Sequence, residues 1–156
     1  MYKRIYFNVR VYQKEIMMVL KGTLLALLSL CLPLTAVADD PLGVWQTQDR
    51  DGHVRIQSCE ANTLCGTLVW FDPNTPVGLT DGNNPDPILR GRALIGIQIL
   101  SDLPASTESR EMGRIYNPYD GKTFRARIEL QSNQTLEVTG CWGVICRSNI
   151  WHRVSN

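Results

Sequence analysis

Lysine is almost missing beyond the first 38 residues, where Lys122 stands alone among 11 basic side chains. Against them are 14 Asp and Glu, so residues 39–156 carry a formal charge of −3. Proteins that grip nucleic acid gather basic side chains on one face to neutralise phosphates, and this balance excludes that class of partner. Histidine is as scarce, with His53 and His152 alone. No G-x-S-x-G elbow and no C-x-x-C pair occurs, so a serine hydrolase triad, a thioredoxin-type centre and paired zinc knuckles have no motif behind them. No cofactor-binding or metal motif is present either. A spanning helix needs about 20 consecutive apolar residues. The best candidate, Thr23 to Leu34, is shorter and interrupted by Pro33. Long amphipathic helical patterns, internal repeats and low-complexity tracts are all lacking, which removes helix bundles and repeat arrays.

What the N-terminus does contain has the layout of an export signal. Lys3, Arg4, Arg10, Lys14 and Lys21 precede the apolar run, and Ala36-Val37-Ala38 follows it. A basic segment, a short apolar core and a small-residue cleavage site make residues 1–38 a signal peptide, with the mature chain starting at Asp39. Synthesis from Met17 or Met18 leaves that product unchanged. Leu30 stands where a lipid-attachment signal wants a small residue, so Cys31 is not read as an anchor. The expectation is a periplasmic or secreted protein with no transmembrane segment. Its 118 residues are one domain, since a chain of this size buries about two-thirds of its unfolded surface, enough for a single core.

Four cysteines are left after the leader: Cys59, Cys65, Cys141 and Cys146. An even count in an exported chain reads as structural disulfides. Of the three pairings, Cys59 with Cys65 and Cys141 with Cys146 are favoured, because hairpin ends bring residues at these short spacings within bridging distance. A zinc site is the competing use of the same four thiols.

Apolar residues recur mostly with period two. In Thr123 to Leu130, Phe124, Ala126, Ile128 and Leu130 alternate with Thr123, Arg125, Arg127 and Glu129, so one face points inward and the other meets water. Similar segments are Gly43–Thr47, Val54–Cys59, Leu64–Phe71, Leu94–Leu100, Gly113–Tyr116, Thr135–Cys141 and Cys146–Val154. Turn formers separate them, as in Asp49-Arg50-Asp51-Gly52 and Asn117-Pro118-Tyr119-Asp120-Gly121. About eight short antiparallel strands in one exported domain predict an all-β, disulfide-stapled barrel, the arrangement that removes unpaired edges by closing on itself. A β-sandwich is the alternative.

The segment from Asp72 to Arg92, with four prolines, is too long for an ordinary hairpin, and such loops often bind ligands. Arg90 and Arg92 lie two apart, ahead of the expected fourth strand, and are placed on one face. There they would hold an acidic head group while the lumen takes an apolar tail. The plainer reading is ion pairing with Asp72, Asp81 or Asp86 to fix the loop. Asn84, Asp86, Tyr116 and Phe124 complete the candidate binding set. The oxygen-rich Asp81–Asp86 stretch lacks the spacing of a calcium loop and reads as turn chemistry. Trp142, beside Gly143, Val144 and Ile145, forms an apolar tip suited to contact with a ligand or partner.

Gly43-x-Trp45 on the first strand, with Arg153 near the end of the last, resembles the pairing that closes lipocalin and other calycin barrels, where the arginine stacks on the tryptophan. Nearly the whole mature chain is similar to the bacterial exported family called domain of unknown function 2147. The likeness rests on GVWQT (43–47), CGTLVW (65–70), NPDPILRGR (84–92), IYNPYDGKTF (115–124) and GCWGVICRSNIWHRV (140–154). It implies a lipocalin-like barrel in the cell envelope and supplies no reaction. The leading expectation is a non-enzymatic binder of a small, partly apolar molecule such as a fatty acid or lipid. Arg90, Arg92 and the loop around Asp86 would anchor it, with Phe124, Ala126 and Ile128 lining the lumen. The alternatives are a module that docks an envelope protein through the long loop and Trp142, and an enzyme working at Asp81, Asp86, Arg90 and Asp120.

Overall fold

Seven of the eight segments become strands, and the eighth in part, in the computed structural model, which describes residues 40–106 and 111–154. The expected signal peptide lies outside the described residues. The strands are β1 (Gly43–Gln46), β2 (Gly52–Ser58), β3 (Thr63–Phe71), β4 (Gln98–Pro104), β5 (Gly113–Asn117), β6 (Lys122–Ser132), β7 (Thr135–Trp142) and β8 (Ile145–Arg153). Each pairs antiparallel with the next, and β8 returns to β1, giving a closed up-and-down barrel. The sandwich alternative is thereby overturned, because one continuous sheet holds every strand. Among the described residues the helical content is a 3-10 turn, Glu60–Asn62, and no helix is long and apolar enough to cross a membrane.

Alternation decides which side chains enter the barrel. On β6, Ala126 and Ile128 are buried while Arg125, Arg127 and Glu129 face water. The lower half of the interior is packed solid by Trp45, Val54, Ile56, Leu64, Leu103, Ile128 and Leu136. Each such aliphatic side chain contributes about 1.5–3 kcal/mol relative to exposure. Ala126 and Ile128 belong to this packed region.

One expected strand is displaced. Leu94 to Leu100 was read as the fourth, but β4 begins at Gln98. Leu94 and Ile97 are buried from turns instead, held by hydrogen bonds from Leu94 N to Leu79 O (2.9 Å), Gly96 N to Leu68 O (2.7 Å) and Leu68 N to Ile97 O (2.9 Å). Loop residues that plug into a core imitate the apolar spacing of a strand.

The lower end is closed by Arg153, whose guanidinium lies 4.2 Å from the Trp45 ring centroid. It donates from Nε to Asn133 O (2.5 Å), from Nη1 to Leu42 O (2.6 Å) and from Nη2 to Asp40 O (2.7 Å). Trp45 Nε1 donates to Pro41 O at 2.8 Å. Gly43 makes this possible: its φ is +127°, and a Cβ there would stand 2.7 Å from Arg153 Nη1. The disulfides take the local pairing, Cys59–Cys65 across the β2–β3 turn and Cys141–Cys146 below the tip of the β7–β8 hairpin.

Candidate functional site

The upper half of the barrel is not filled. A cavity of about 550 Å³ opens there, within the range of small-molecule sites. Its deep walls are Leu68, Phe71, Ile99, Val138 and Trp151, all nearly inaccessible. Ile115, Tyr116 and Phe124 line it from β5 and β6. Gly140 on β7 leaves room, since a Cβ there would meet Ile115 Cγ2 at 3.6 Å and Phe124 Cβ at 4.0 Å, ordinary contacts. Barrel walls with small residues on the inward face leave space that larger ones would occupy.

The mouth is polar. Thr47, Gln48, Asp49 and Asp51 from the β1–β2 connection and Asn117 to Asp120 from the β5–β6 turn surround it. Asp51 accepts hydrogen bonds from Tyr119 Oη and from Thr47 Oγ1, the latter at 2.6 Å. Asp120 is 3.7 Å from Lys122 Nζ. Burial, with the carboxylate of Asp51 next, pushes the Tyr119 phenol well above the ordinary tyrosine range. Burial does the same to Tyr116, helped by its hydrogen bond to Asp81, and its pKa is pushed up to about 12. Both phenols therefore remain protonated donors at neutral pH.

Of the six residues expected to bind a ligand, Tyr116 and Phe124 stand on the cavity wall. Asn84, Asp86, Arg90 and Arg92 lie outside it, in the long β3–β4 loop. Arg90 and Arg92 are not next to a strand start, so the shared-face geometry expected for them does not form. Arg92 instead pairs with Asp81, at 2.8 Å from Nη2 and 2.9 Å from Nε. Asp81 is fully buried and also accepts from Asn84 Nδ2 (2.7 Å) and from Tyr116 Oη. Arg90 Nε donates to Asn84 O at 2.8 Å, and Asp86 accepts from Ile88 N at 2.9 Å. These contacts fold the loop on itself. Asn83 Nδ2 then docks it on the β5–β6 turn through Pro118 O (3.2 Å) and Tyr119 O (3.1 Å). Gly121 permits that approach, because its φ is +67° and a Cβ would collide with Asn83 O at 1.9 Å. Among the described residues no hydrogen bond or ion pair joins Asp120 to Asp81, Asp86 or Arg90, so the four do not form one cluster.

Arg147 and Asn149 are cavity residues that sequence reasoning passed over. The signal was there in the parity of β8. Trp151 is an obvious core residue, and Ile145, Arg147 and Asn149 share its face. Trp142 stands at the rim with 64% of its surface exposed, its ring edge-on to Phe124 at 5.7 Å between centroids.

This barrel, packed and capped by an Arg–Trp contact below and hollow above, defines a lipocalin-like protein. The chain belongs to a family described as an uncharacterised protein conserved in bacteria, DUF2147, whose model matches residues 43–153. Among solved structures it is similar to the Helicobacter pylori protein HP1028, described as belonging to the lipocalin family. The two are 29% identical with a TM-score of 0.61, over 74% of this chain and 83% of that one. No curated protein matches the chain.

Proposed function

We propose that the protein is an exported envelope protein that holds a small, partly apolar molecule in the upper cavity, binding it without transforming it. The cavity itself carries this reading: apolar side chains form its depth, polar groups form its mouth, and the packed lower half gives it a floor. Sites for amphiphilic molecules have this polarity gradient, because burying the apolar part drives binding while a few polar groups fix orientation. Tyr116 and Phe124 contact the ligand. Asn84, Asp86, Arg90 and Arg92 act at one remove, by holding the loop beside the mouth.

Native mass spectrometry of protein purified without detergent tests the reading. A lipid-sized adduct is expected, and it disappears in Gly140→Leu, whose side chain enters the cavity from a position with room for a Cβ. An unmodified mass, together with no saturable change of tryptophan fluorescence across a panel of amphiphiles, refutes it. A second reading, docking of an envelope protein, is favoured by one observation: Trp142, Val144 and Ile145 are 64%, 99% and 67% exposed on a disulfide-stapled tip. Capture of a defined envelope protein that fails with Trp142→Ala, in protein that binds no amphiphile, supports it over the first.

A further inference from the structure

The barrel closes over a short distance. β1 is four residues long and meets β8 at two positions, Trp45 with Arg153 and Gln46 with His152. β8 has nine residues and runs on past β1 toward the mouth, paired there with β7 alone. Gln48 Oε1 accepts from Ile150 N at 2.8 Å, continuing the seam by one side chain. Beyond that contact, Arg147 and Asn149 of β8 and Gln48 and Asp49 of the β1–β2 connection line the cavity together.

Arg147 and Asn149 sit on that inward face. At about 3.3 Å of rise per residue, Arg147 lies about 7 Å below the rim residue Ile145, with Asn149 a further 7 Å or so toward Trp151. Arg147 is the one basic side chain on the cavity wall among the described residues. Among the described residues no hydrogen bond or ion pair engages it. Its surroundings are acidic, with Asp49, Asp51 and Asp120 at the mouth. Asp51 is occupied by Tyr119 and Thr47, and Asp120 by Lys122. Arg147 is exposed, so its five donors meet water, and an acidic group from outside can replace that water above an apolar floor.

We infer that Arg147, with Asn149 beneath it, is the polar anchor of the cavity, and that the ligand is an amphiphile bearing a carboxylate. The acid group seats against Arg147 near the mouth, and the apolar chain runs down to Leu68, Val138 and Trp151. The inference rests on the cavity reading above and adds the chemical class of the ligand. It also moves the anchoring role from Arg90 and Arg92, which are committed to the loop, to a cavity residue that has no protein partner among the described residues.

The test compares three probes with the same chain, dodecanoate, dodecanol and dodecyltrimethylammonium, below their micelle concentrations at neutral pH. Binding to the full-length protein is read by calorimetry and by the fluorescence of Trp142 and Trp151. Dodecanoate is expected to bind about ten-fold or more tighter than dodecanol, since hydrogen bonds between ionised partners outweigh neutral ones. Arg147→Gln abolishes that ratio and leaves dodecanol binding unchanged; Arg127→Gln, on the outward face of β6, changes neither. A ratio that survives Arg147→Gln, or tightest binding of the cationic probe, overturns the anchor while the cavity reading stands. Failure of all three probes to bind overturns the cavity reading and the anchor with it.

Discussion

Replacing Arg153 with alanine removes the closure of the barrel's lower end while leaving every strand in place. The side chain makes three hydrogen bonds to the carbonyls of Leu42, Asp40 and Asn133 and covers the face of Trp45, which is fully buried. A hydrogen bond from a charged donor contributes about 1.5–3 kcal/mol when desolvated. Two of these three lie at exposed positions and count for much less. The cation–π contact contributes about 0.5–2 kcal/mol. Allowing for water replacing the exposed bonds, the net cost is about 3 kcal/mol, a large part of the ~5–15 kcal/mol stability of a small domain. Urea unfolding followed by tryptophan fluorescence reads it as a midpoint lowered by about 1.5 M at an m of about 2 kcal/mol per M, with m unchanged. Thermal unfolding shifts by on the order of 10 °C. Arg153→Lys recovers less than half of the loss, because an ammonium cannot satisfy three carbonyls with the planar fork of a guanidinium. A loss below about 0.5 kcal/mol, or full recovery with lysine, refutes the reasoning.

Three further outcomes follow from the same coordinates. Asp81→Asn leaves Arg92 without its carboxylate and is expected to cost about 2–4 kcal/mol, the upper figure being softened because Arg92 is 39% exposed. It also makes the 72–97 loop sensitive to limited proteolysis, and unchanged resistance counts against Asp81 as the loop's fastening. The folded state retains the phenolic protons of Tyr116 and Tyr119 above their ordinary pKa of 10.0, so their contribution is complete below about pH 10. It is lost as pH rises toward about 12 and beyond; phenolate absorbance, assigned with Tyr116→Phe and Tyr119→Phe, should show late ionisation and a falling urea midpoint over that window. Exchanging Cys141 and Cys146 for serine is expected to cost about 2 kcal/mol, the entropy of closing a short loop in the unfolded chain, and a non-reducing denaturation series checks it.

Local alternation and turn chemistry were enough to read seven of the barrel's eight strands and the turns at Asp49–Gly52 and Asn117–Gly121 from the residues. On β6, for instance, Arg125, Arg127 and Glu129 each have apolar neighbours on the opposite face, so strand identity and inward face are settled within a few residues. The pairing of Cys141 with Cys146 and the presence of a Gly43, Trp45 and Arg153 set were legible for the same reason or through family resemblance. For Arg90 and Arg92 the sequence offered both a shared-face anchor and ion pairing within the loop, and Arg92 takes the second with Asp81; the choice is decided elsewhere, since Asp81 is also bonded by Tyr116, 35 residues away along the chain. Leu94 and Ile97 misled the strand reading in the same manner. Whether the barrel is full or hollow is also beyond local pattern, since it depends on the summed volumes of inward side chains from eight strands and on how far β8 outruns β1. By itself the sequence therefore determined the alternating strands, the turns and the disulfide-sized spacings, all set by neighbours along the chain. Only the tertiary structure decided that a cavity exists beside the inward face of β8 and that Arg147 pairs with none of the acidic groups around it among the described residues, because space and pairing are properties of residues brought together from far apart.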